Sequence, residues 1–203
     1  MACLIKLKGG KVKIAVFGDS ISTHLEMEVM TQTLLTEAGI SAQVERFAVA
    51  GEDTNAAMKR LAGVVASRAD YYYIFFGAND AAVHRQISPS QFADNLTTFV
   101  TALGAGKTTI LTPPYVNETA IAKTQKMLGR TNAGFVPYVE IAKQVASQTG
   151  AGLIGLNQAM LASQNPDDLL VSDGVHFTTK GYQLITSLIA ADVRTREFKK
   201  KHV

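Results

Sequence analysis

The chain has 203 residues and a formal net charge of +3 at pH 7, with 47% hydrophobic and 18% charged residues. That length and balance suit one globular domain over residues 1–203 with its own core, and they exclude a largely disordered chain. Lys199, Lys200 and Lys201 supply much of the positive charge near one end, where they complement the negative end of a closing helix, so the body is near neutral and carries no nucleic-acid footprint.

Met1 to Lys13 contains a short apolar patch broken by Lys6, Lys8 and Lys11, without a signal-peptide cleavage pattern. Cys3 is the single cysteine, which excludes an intrachain disulfide and a cysteine-based zinc site. No apolar run is long enough to span a membrane, and a soluble cytoplasmic protein is the expectation.

Short apolar runs then alternate with segments of helical period. The first run is Ile14 to Phe17, followed by Met27, Met30, Leu34 and Ala38 on one helical face, with Gly39 as a stop. Ala42 to Val49 is the second run, and Ala57, Leu61, Val64 and Val65 form the next stripe. Tyr71 to Phe76 is the third. It precedes a helix with Ser88 as N-cap, Pro89 in its first turn, a stripe of Phe92, Leu96, Phe99, Val100 and Leu103, and Gly104 past its end.

Thr108 to Leu111 is the fourth run, and the long stretch from Pro113 to Gly134 reads equally as a binding loop or lid and as a surface excursion, with a short helix around Thr119 to Leu128. Gly152 to Leu156 is the fifth run, and Tyr182, Ile185, Leu188 and Ile189 mark the closing helix. This order predicts a three-layer α/β/α sandwich around a mostly parallel five-stranded sheet.

Ligands of such sheets bind outside the carboxyl ends of the strands. The residues at those ends are Gly18-Asp19-Ser20-Ile21-Ser22, Ala50-Gly51-Glu52-Asp53-Thr54 and Gly77-Ala78-Asn79-Asp80, and after the last run and a short helix comes Ser172-Asp173-Gly174-Val175-His176-Phe177. A serine hydroxyl becomes a useful nucleophile when an imidazole within hydrogen-bond reach takes its proton, and a carboxylate can hold that imidazole in the right tautomer. Asp173 precedes His176 by three residues, a spacing that one helical turn brings onto a single face.

Each block by itself has an ordinary structural reading: Ser20, Asp19 and Asp80 as helix caps, Gly51 and Asn79 as turn residues, His176 as a satisfied histidine. Helix capping is the preferred reading for Asp19 and Asp80. Together and in this order the blocks resemble the GDSL family of esterases and lipases, also called SGNH hydrolases, whose fold is flavodoxin-like. The resemblance spans Gly18 to His176. It implies Ser20 as nucleophile, Asp173 and His176 as orienting acid and general base, and an oxyanion hole formed by Ser20, Gly51 and Asn79. Arg46 to Ala50 stands where many members carry an asparagine.

The resemblance implies hydrolysis of small short-chain esters through an acyl-serine, with no cofactor and no metal. Acetylated sugars, lysophospholipids and thioesters are alternative substrates, and a non-catalytic binding module for a small ligand is the alternative of another class. Gly104-Ala105-Gly106-Lys107-Thr108 imitates the end of a phosphate-binding loop but lacks the first glycine, with Thr101 in its place, and precedes a strand. His24 and His84 read as surface histidines, and Asp167 and Asp168 as part of a turn after Pro166.

Overall fold

The computed structural model describes residues 10–85 and 87–201. The expectations for the stretch from Met1 to Gly9, Cys3 among them, lie outside the described residues. Five parallel strands form one sheet in the order β2-β1-β3-β4-β5: β1 Val12–Gly18, β2 Ala42–Ala48, β3 Tyr71–Phe75, β4 Thr108–Leu111 and β5 Gly152–Ile154. Each apolar run named in the sequence contains or overlaps one of them.

The strand period of two divides the core. Ala15, Phe17, Tyr72, Ile74 and Ile110 point to one face of the sheet, and Ile14, Val16, Tyr71, Tyr73, Phe75 and Leu111 to the other. The first face is covered by α2 Thr54–Met58, α3 Leu61–Ala66, α4 Pro89–Leu103 and α6 Asn132–Thr149, and the second by α1 Leu25–Glu37, α7 Leu156–Leu161 and α8 Thr179–Lys201. Burial on both faces explains why the central strands read as continuous apolar runs.

The helix signals act as their chemistry dictates, with three corrections. Ser88 caps α4 by accepting from the Gln91 N–H, and Gly104 ends it at φ 89°. In α1 the fully buried stripe is Met27, Thr31 and Leu35, so the face is rotated by one position from Leu34, and Ala38 is exposed at the helix end. The stripe from Ala57 to Val65 is two short helices, not one. Asp53 caps α2, the chain turns at Lys59 and Arg60, and Val65 faces outward at 40% exposure while Val64 is buried.

The third correction concerns the Pro113 to Gly134 excursion. It holds α5 Glu118–Thr124, but it ends earlier than its glycines suggest, because Thr131 caps α6 by accepting from the Gly134 N–H. Phe135, Tyr138, Val139, Ala142, Val145 and Ala146 then form the buried face of α6. The segment from Gly104 to Thr108 is a 3-10 turn entering β4 and opens no helix, unlike a phosphate-binding loop.

Burial makes the core testable at two positions. Phe99, fully buried and in edge contact with Phe17, should cost about 3–5 kcal/mol when replaced by alanine. Val65→Ala should stay within about 0.5 kcal/mol. Urea denaturation of both variants checks the assignment, and comparable losses would contradict the two-helix arrangement.

Candidate active site

Register brings the site together. Gly18, the last residue of β1, is paired with Ala48 of β2 on one side and Phe75 of β3 on the other, so three strand ends lie in a row. β1 is flanked by the strands that follow it in both directions, which makes its carboxyl end the topological switch point. A side chain at Gly18 would meet the Phe75 carbonyl oxygen at 2.8 Å, so only glycine permits this approach. Ser20 follows in a 3-10 turn, Ser20–Thr23, which Asp19 caps by accepting from the Ile21 N–H at 3.1 Å.

Ser20 Oγ lies 2.8 Å from His176 Nε2, and His176 Nδ1 lies 2.7 Å from Asp173 Oδ2. The other Asp173 oxygen accepts from the Val175 N–H at 2.9 Å and the His176 N–H at 3.0 Å. Burial opposes ionisation of Asp173, but the hydrogen bonds from the His176 ring and these two amides outweigh it and hold the carboxyl below its usual range. An ionised carboxylate only accepts, so Nδ1 carries the proton and the neutral ring's Nε2 is left to accept from the Ser20 hydroxyl.

The three-residue spacing works differently from the helical turn expected. Residues 172–176 form a non-helical turn with Gly174 at φ 78°, and the Asp173 carboxylate, gripping two amides, fixes it. A side chain at Gly174 would strike the Asn117 carbonyl oxygen, next to the start of α5.

Gly51 takes φ 76° and, among the described residues, its N–H meets no acceptor. Asn79 is buried, and its Nδ2 donates to the Glu52 carbonyl oxygen at 2.8 Å and more weakly to Asp19 Oδ2 at 3.3 Å. Its Oδ1 accepts from Arg130 Nη2 at 2.7 Å, while Arg130 Nε donates to the Ala78 carbonyl oxygen at 3.0 Å. A guanidinium has no acceptor, so this contact fixes which way the carboxamide faces.

Ser20, Gly51, Asn79, Arg85, Met127, Arg130 and His176 are among the residues lining one cavity of about 220 Å³. Every residue that the sequence marked for the site is on this wall except Asp173, which stands behind His176. Arg85, Met127 and Arg130 were not foreseen. Met127 and Arg130 come from the excursion, which is therefore part of the cavity wall. Gly129, at φ 82° beside Arg130, was the available signal for a tight approach; a side chain there would strike Val83.

Asp19 combines its capping role with burial, which pushes its carboxyl up to about 7. Asp80 is also pushed up, to about 6, by burial; it accepts from the N–H and hydroxyl of Thr54 in α2 and so caps across space instead of capping a helix of its own. His24 is exposed, 3.2 Å from Glu26 and stacked on Tyr182, and His84 is exposed outside the cavity wall. Asp167 and Asp168 lie in the 3-10 turn Pro166–Leu169. Among the described residues no three metal-ligating side chains cluster, and no helix is long and apolar enough to cross a membrane.

This arrangement can lend a serine hydroxyl a base and offer donors to a developing negative oxygen beside it. The α/β/α sandwich is the architecture shared by its structural relatives. The chain belongs to the GDSL-like lipase/acylhydrolase family, whose model matches residues 16–184. It is similar to a lipase/acylhydrolase from Enterococcus faecalis, at 29% identity and TM-score 0.85 over 91% of this chain and 96% of that one. It shares the fold of an acetyl xylan esterase from Geobacillus stearothermophilus, at 17% identity and TM-score 0.70 over 91% and 95% of the two chains. An isoamyl acetate-hydrolyzing esterase 1 homolog from Bos taurus is 30% identical over 128 residues, 56% of this chain, and the match spans about half of that relative, 51%.

The buried carboxyl of Asp19 sets a pH dependence of stability. Its folded pKa of about 7 lies above the ordinary 3.8, so the folded state binds the extra proton between those values. Stability linked to Asp19 is thus fully present below about pH 4 and is lost as pH rises through about 7. In Asp19→Asn, where the amide oxygen can still cap Ile21, the decline in Tm across that window should be shallower than in the parent protein. Thermal melts from pH 4 to 8 read this directly, and parallel curves would show that Asp19 ionises freely.

Proposed function

We propose that the protein hydrolyses short-chain carboxylic esters through an acyl-Ser20 intermediate. The reading rests on the unbroken line of hydrogen bonds from Ser20 Oγ through the His176 ring to Asp173. Ser20 Oγ attacks the ester carbonyl carbon as His176 Nε2 takes the hydroxyl proton. The tetrahedral oxyanion is held by the Ser20 and Gly51 N–H groups and the Asn79 carboxamide, whose weak bond to Asp19 is the one most readily given up. His176 then returns the proton to the leaving alkoxide as the carbon–oxygen bond breaks. Water, deprotonated by His176, releases the acid and frees Ser20.

A cavity of about 220 Å³ favours small acyl and alcohol groups, since sites for larger ligands run to roughly 300–1,000 Å³. Acetate esters fit it. The activities named for the bovine relative and the Geobacillus enzyme both release acetate, which supports the same choice here.

A fluorophosphonate should label the protein irreversibly at Ser20, and Ser20→Ala should fold normally, resist labelling and lose roughly 10³-fold or more in turnover. Labelling elsewhere, or more than about a tenth of the turnover left in Ser20→Ala, rejects the mechanism.

Asn79→Ala separates transition-state from ground-state binding. Turnover should fall by about 10²–10³ with KM little changed. A higher KM at full turnover would assign Asn79 to substrate binding instead.

A further inference from the structure

The charges on the cavity wall are one-sided. Among the described residues that line it, Arg85 and Arg130 carry fixed positive charge and no carboxylate is present. The nearby acids turn elsewhere: Asp19 to the Ile21 N–H, Asp173 to His176, Asp80 to Thr54. Arg130 is buried and committed to Ala78 and Asn79.

Arg85 is not committed in this way. Its side chain is 38% exposed, and among the described residues its guanidinium meets one carboxylate, Asp53 Oδ2, at 3.7 Å. That is beyond hydrogen-bond length. The other Asp53 oxygen caps α2 through the Ala56 N–H, which holds the aspartate in place. Arg85 Nη2 lies 3.6 Å from where a side chain on Gly51 would begin, at the edge of the proposed oxyanion hole. The two cations line the same cavity; burial pulls the Arg130 guanidinium below its ordinary range, Asp19 opposes that, and repulsion from Arg85 adds to it. An anion between them would relieve this repulsion.

We propose that Arg85, backed by Arg130, recognises a carboxylate carried by the substrate within a few bonds of its ester carbonyl. The proposal rests on the esterase reading above and narrows it to esters of which one half is itself an acid. A guanidinium presents its donors as a planar fork matched to a carboxylate, and a half-exposed one can make that contact without first breaking a strong internal bond. The small cavity favours a carboxylate over a bulkier oxyanion beside the ester.

The test uses two isosteric pairs of esters, each with a carboxylate in place of an isopropyl group. Isoamyl acetate against 3-acetoxypropanoate places the charge on the alcohol half, and methyl 4-methylpentanoate against monomethyl succinate places it on the acid half. The intact protein should favour the charged member of at least one pair by about tenfold or more in kcat/KM, and added salt should narrow the margin. Arg85→Gln should lower that charged-to-neutral ratio at least tenfold through KM, and Arg85→Lys should retain part of it. The ratio is insensitive to a general loss of folded enzyme.

Preference for the neutral member in both pairs, or an unchanged ratio in Arg85→Gln, overturns the inference and leaves the esterase reading intact. Hydrolysis of none of the four esters, together with no fluorophosphonate labelling, overturns both.

Discussion

The site depends on the register of three parallel strands around Gly18. Ser20, Gly51 and Asn79 belong to segments far apart in sequence, and they face one cavity because β1 is paired at its final residue with β2 and β3 together. The absence of a side chain at position 18 allows that packing, and its presence would push against the Phe75 carbonyl. A shift of one residue in either pairing would turn the side chains of a strand to its other face and separate the groups.

Behind this row lies a buried polar cluster in which few atoms are idle. Asp19 caps the turn that carries Ser20 and touches Asn79, Arg130 fixes the Asn79 carboxamide, and Asp80 ties the same loop to α2. Burying such groups costs stability unless they are paired, which is why the carboxyls of Asp19 and Asp80 sit above their ordinary range. What the cluster supplies in exchange is orientation. The donors around Ser20 have little freedom to rearrange, a property that electrostatic stabilisation of a transition state requires.

The same constraint links the excursion after β4 to the proposed chemistry. Arg130 reaches Asn79 because Gly129 lets its loop pass close to Val83, and Met127 from that loop closes the cavity beside it. The segment therefore shapes the space available to a substrate, and the one-sided charge of that space follows from its Arg130 together with Arg85 from the loop after β3.

Strand positions, the capping of α4 by Ser88 and the polar blocks after the apolar runs were legible in the residues, because strand period and cap chemistry are local properties, whereas the pairing of Ser20 with His176 was implied by the resemblance of those blocks to the GDSL family. The division of the 57–65 stripe into two helices and the burial of Leu35 over Leu34 were not, since they depend on which face a neighbouring layer covers, and the start of α6 at its Thr131 cap was hidden by the glycines on either side of it. Arg130 and Arg85 show the limit most clearly. Apart from Gly129 beside Arg130, nothing in their local sequence distinguishes them from surface cations, and only the tertiary structure, by folding two loops together at the cavity, decided that one would be buried against Asn79 and the other left facing the cavity. The sequence by itself determined the sheet, its order of elements and the polar residues at its carboxyl edge, and tertiary packing decided the charge and size of the space in front of them, because those are set by contacts between segments that no local pattern encodes.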